Sequence, residues 1–97
     1  MKESNVNQEG VVLKQLRNAL GGISQEALSK MIGCSVRKIW RGENGTEPTW
    51  TTIEAKNLHL LLERHFGVGI THLPDSLKSS DPVPFLQEAI AQKNAEV

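Results

Sequence analysis

The chain has 97 residues, a single cysteine and equal numbers of acidic and basic side chains, so its net charge is zero. That length suits one small domain with a modest core. Cys34 alone excludes an internal disulfide, no apolar run approaches membrane-spanning length, and the polar start "MKESNVNQEG" lacks the apolar centre of a signal peptide. A cytoplasmic protein with no membrane partner is expected.

Residues 1–10 show no apolar period and read as a flexible N-terminus. "VVLKQLRNAL" then sets Val12, Leu13, Leu16, Ala19 and Leu20 at helical spacing, and Gly21-Gly22 stops that helix. Ser24 can cap a second helix with Ala27, Leu28, Met31 and Ile32 on one stripe. Gly33 follows, the residue type for a helix end that needs positive φ. Ser35 can cap a third helix through about residue 43. Two short helices joined by a glycine turn are the sequence form of a helix-turn-helix.

"NGTEP" is the next loop, and Thr49 or Thr51, the latter with Glu54, can cap a fourth helix. "FGVGITHLP" reads as a turn and a short fifth helix ended by Pro74. "DSLKSSDPVP" has linker composition, and "FLQEAIAQKNAEV" reads as a C-terminal amphipathic helix. No strand alternation or repeat is present, so the fold class is all-α. The expected organisation is a helical domain over 11–74, then a linker and C-terminal helix over 75–97.

The charge is unevenly spread. Residues 11–41 carry Lys14, Arg17, Lys30, Arg37, Lys38 and Arg41 against Glu26 alone. The acidic excess lies before and after. Such asymmetry can steer one face towards a polyanion, although small proteins also show lopsided charge by chance.

From Leu13 to about Leu73 the chain resembles the Cro/repressor-type (XRE) helix-turn-helix family. The matching pieces are Arg17, "ISQEALSKMIG", Ser35, Ile39, "ENG" and Pro48, with "FGVGITHL" resembling the closing turn and fifth helix. The resemblance implies a five-helix DNA-binding domain, to which the C-terminal helix is added. It implies that the helix at about 36–43 enters the major groove. Ser35, Val36 and Arg37 would then meet base edges, with Arg41 one turn on. Gln25 would contact a backbone phosphate and brace that helix, and Asn44 would touch phosphate. Arg17 and Glu43 resemble a buried ion pair tying the first helix to the third.

Helical geometry adds its own support. At about 100° per residue, Arg37 and Arg41 share one side, while Ile39, Gly42 and Glu43 share the opposite one. An arginine fork can bond guanine O6 and N7 together. Lys38 lies off that axis, better placed for phosphate. Helix N-termini attract phosphate, which suits Gln25 and Ser35.

The chain departs from the family at Gly42, where a tryptophan or other large apolar residue usually precedes the glutamate. Trp50 is expected to pack over Gly42 in compensation. Trp40 has two readings, capping the edge of the core or touching the sugar-phosphate backbone or a partner subunit. The fourth helix is longer than usual, and one extra residue separates Arg17 from Gln25.

His59 and Glu63 stand four apart with no third ligand, so no metal or cofactor is expected. Cys34, in the turn, could add bulk near DNA if oxidised. No catalytic grouping or strand-borne phosphate loop is present, so no enzyme is expected. The expected function is a sequence-specific DNA-binding transcriptional regulator. It would repress by binding a palindromic operator as a homodimer. The C-terminal helix has two readings, folding back on the domain or pairing with its copy in a second subunit, and with the fifth helix it is the candidate dimer surface. The alternative is a protein-interaction module, such as an antitoxin or adaptor, with weak or no DNA binding. RNA binding lacks a stacking platform.

Overall fold

A computed structural model describes residues 10–95. The expected flexible segment before Gly10 lies outside the described residues. The described chain is all-α: α1 Val12–Ala19, α2 Gln25–Ile32, α3 Val36–Glu43, α4 Thr52–Phe66 and α5 Pro84–Ala95. A 3₁₀ turn, Ile70–His72, stands where the fifth helix of the domain was expected. Gly67 and Gly69 precede that stretch and Pro74 closes it, which leaves too little chain for a longer helix. Among the described residues, no helix is long and apolar enough to cross a membrane.

The caps follow side-chain chemistry. Ser24 and Ser35 each accept a hydrogen bond from the backbone N–H three residues on, opening α2 and α3. Gly33 ends α2 at φ 85°, where any other residue would be strained. Thr51, not Thr49, caps α4: its hydroxyl accepts from the Glu54 N–H, and the Glu54 carboxylate accepts from the Thr51 N–H. No side chain caps α1. Instead the Val12 N–H donates to the Ser79 carbonyl at 3.0 Å.

That bond brings in the segment expected to be a linker. Leu77 and Val83 are buried with Leu86 of α5 in the same core as Val12, Leu13 and Leu16. Glu47 takes hydrogen bonds from the Ser76 hydroxyl at 2.7 Å and the Leu77 N–H at 2.8 Å. The segment after residue 74 thus contributes side chains to that core. Its polar composition solvates one side only, while Leu77 and Val83 anchor the other. The C-terminal helix folds back onto α1.

Gln15 organises this junction. It is fully buried, and its amide makes four bonds. Nε2 donates to the carbonyls of Gly10 at 3.1 Å and Asp81 at 2.8 Å. Oε1 accepts from the Val83 N–H at 2.9 Å and from Gln87 Nε2 at 3.0 Å. Both amide hydrogens and both lone pairs are used.

Gly42 is covered differently from expectation. A Cβ built on it would lie 2.5 Å from Leu13 Cδ1 and 3.6 Å from Pro48 Cγ. The large partner of this small residue is Leu13, arriving from α1. Trp50 instead packs at the core edge, with the Lys38 ammonium 5.6 Å from its ring centroid.

Gln15→Leu keeps the volume but strands the Val83 N–H and the Asp81 carbonyl. Each unsatisfied buried group costs about 1–3 kcal/mol. Denaturant titration is expected to show a loss in that range or above, with amide exchange at Val83 accelerating before exchange in α2. Unchanged stability would show that the amide network contributes nothing.

Candidate nucleic-acid interface

The two sides of α3 have different fates. Ile39 and Gly42 are buried and Glu43 is mostly so, while Val36, Arg37, Trp40 and Arg41 are exposed. At about 100° per residue, those four cover a continuous arc of about 140°. Val36 and Trp40 lie at one edge, Arg37 and Arg41 at the other. Among the described residues, neither arginine has an acidic group within ion-pair distance.

One carboxylate sets the orientation of this face. Glu43 accepts from Arg17 twice, Nε to Oε2 and Nη2 to Oε1, both at 2.8 Å. Gln25 Nε2 donates to the same Oε1 at 3.0 Å. Arg17 Nη1 also donates to the Ile23 carbonyl at 3.1 Å. The expected tie between the first and third helices is present, and Gln25 braces α3 through it.

Lys38 is placed otherwise than the phosphate role supposes. Its ammonium is 2.6 Å from Glu54 Oε1 and 2.8 Å from the Thr49 carbonyl. Its position on α3 faces the start of α4, where the Glu54 carboxylate already closes the capping box. Lys38 therefore joins α3 to α4. Asn44 lends one amide hydrogen to the Trp40 carbonyl at 2.7 Å, closing the end of α3. Ser35 is exposed beside Val36 and uses its oxygen to cap the helix. Trp40 is 54% exposed.

A shallow groove of about 200 Å³ runs beside the arginines. Thr46, Glu47 and Thr49 line it together with Arg37 and Arg41. These two hydroxyls are additions to the expected site. Their signal was available in "NGTEPT", a hydroxyl-rich loop directly after the cationic helix.

His59 Nδ1 accepts from the Ile70 N–H at 3.1 Å, and Nε2 lies 3.2 Å from Glu63 Oε2, so both ring nitrogens are engaged. Burial pushes the Cys34 thiol up, with the Glu54 charge adding to it, which disfavours the reactive thiolate. Hydrogen bonding from Lys38, then from the Thr51 N–H, holds Glu54 below the ordinary carboxylate value. The Leu77 N–H does the same for Glu47.

No family model matches the chain, no curated protein matches it, and no solved structure does.

Because Glu47 and Glu54 titrate lower when folded, the unfolded chain binds more protons between the two values. Their contribution is present above the ordinary value of 4.5 and is lost as pH falls through the folded values. Thermal melts are expected to hold near neutrality and drop below pH 4.5, with a shallower drop for Glu54→Gln. Lys38→Ala should lower Tm and flatten the same slope. A wild-type Tm independent of pH down to about 3 would contradict both assignments.

Proposed function

We propose that the protein is a sequence-specific, double-stranded-DNA-binding transcriptional regulator working in the cytoplasm, and that it represses by occupying a palindromic operator as a homodimer. The observation that carries this reading is the outward face of α3. It holds two arginines with no acidic partner among the described residues, on the side opposite Ile39, Gly42 and Glu43. A helix of this kind fits the major groove, where an arginine fork can bond guanine O6 and N7. Gln25 at the start of α2, and Ser35, Thr46 and Thr49 around α3, would serve phosphates. The Lys38 ammonium, held by Glu54, would support the helix and not the ligand.

The resemblance to the Cro/repressor-type family supports the same reading. For the homodimer, α5 is unsuited to pair through Leu86, which is buried against the rest of the chain. Ile53 and Leu60, exposed on α4, are the better candidates for a contact between copies.

A second reading is a protein-interaction module of the antitoxin or adaptor kind. The exposed apolar residues Met31, Trp40, Ile53 and Leu60 favour it.

Random-sequence DNA selection with the full chain distinguishes the two. The regulator reading expects an enriched palindrome with half-sites about one helical turn apart. Arg37→Ala and Arg41→Ala should each weaken that site by roughly 5- to 150-fold, the equivalent of about 1–3 kcal/mol per bidentate contact, with melting temperature unchanged. No enriched sequence would move the interaction module ahead.

A further inference from the structure

The arginines account for only half of the outward face of α3. The other half is apolar: Val36 is 46% exposed and Trp40 54% exposed, four residues apart on one edge of the helix. Neither is one of the buried core residues, and both are more exposed than Trp50, which is partly buried against the core. Leaving an indole open to water is unfavourable by the apolar area it wets, so folding does not explain its position. Nor is the side chain carried on a fraying end. The Trp40 carbonyl accepts from Asn44, and Glu43, three residues on, is locked to Arg17 and Gln25.

We propose that Val36 and Trp40 form an apolar edge that reads thymine 5-methyl groups beside the arginine contacts. This rests on the DNA-binding reading. The thymine methyl is the one apolar feature that base edges display in the major groove. The phosphate backbone is charged and hydrated, so an aliphatic β-branched side chain gains little there. Val36 is short and reaches only what lies directly before the first turn of α3. Trp40 continues the same edge one turn along. The cationic edge, Arg37 and Arg41, runs parallel to it at the same two levels. The two edges therefore fall on neighbouring bases, and the half-site should set guanines next to thymines. A protein surface seated on Trp40 is the competing occupant.

The test uses the full chain and the operator recovered by selection. Each thymine is replaced in turn by uracil, which pairs identically and lacks the methyl. At one or two positions per half-site, affinity should fall about three- to fivefold, as expected for one buried methyl group. Trp40→Ala and Val36→Ala, checked by melting curves, should bind more weakly and lose the penalty at those positions. Both should keep their preference for the guanines. Trp40→Gln serves if the alanine variant melts early. Uracil tolerated at every position would overturn the proposal while leaving the DNA reading intact. A penalty that persists in both variants would overturn it also, since another residue would be the reader. Failure to recover any operator removes the DNA reading, and this proposal with it.

Discussion

The Glu43 carboxylate is the constraint on which the rest of the structure depends. It lies in the last turn of α3, where the helix dipole disfavours a negative charge. It is tolerated because the Arg17 fork grips both oxygens and Gln25 adds a third bond. Charge, desolvation and geometry are satisfied together, which is the condition for a mostly buried ion pair to hold. Because Arg17 belongs to α1 and Gln25 to α2, one side chain fixes three helices relative to each other. An eight-residue helix has little stability alone. The direction in which α3 faces is therefore a property of this junction.

Three further polar ties extend the same logic outwards. Lys38 carries α3 to the first turn of α4, using a glutamate already committed to capping that helix. Gln15 carries α1 to the C-terminal segment through three of its four bonds. Glu47 then pins the segment from the other end. Apolar burial collects these helices, but it is permissive about rotation. The directional bonds choose among the rotations, and each would leave a stranded group if its partner moved.

Local signals made much of this legible in the amino-acid sequence. Ser24, Ser35, Thr51 and Gly33 mark helix ends through bonds within a few residues of themselves, so the limits of α2 and α3 could be read directly. The inward and outward sides of α3 follow from its period alone. The Arg17–Glu43 tie was legible only through resemblance, since 26 residues separate the pair. What escaped depended on distant chain. Nothing near Lys38 announces that Glu54 will take its ammonium. Nothing in "VVLKQLRNAL" says that Gln15, polar on a core-facing side, has its acceptors and donors near residues 81–87. The polar run 75–83 resembles a linker because its composition describes the solvent side, not Leu77 and Val83. Gly42 shows the same limit: the missing volume could be inferred, but Leu13 and Trp50 were equally available in one dimension.

These pairings also change what a net charge of zero means. The acidic excess beyond residue 41 would seem to cancel the basic half of the chain. Yet Glu43 is spent on Arg17, Glu54 on Lys38 and Glu47 on backbone and hydroxyl hydrogens. The Glu43 and Glu54 pairs are short-range and partly desolvated, and they neutralise Arg17 and Lys38. Arg37 and Arg41, on the outer side of α3, are left uncompensated among the described residues. The field of exposed charges extends only about 10 Å at moderate ionic strength. A partner approaching α3 would therefore meet the local positive edge and not the molecular total. On the DNA-binding reading, Glu43 and Glu54 build the scaffold behind α3, and Glu47, bonded to Ser76 and Leu77, borders the groove beside the two arginines.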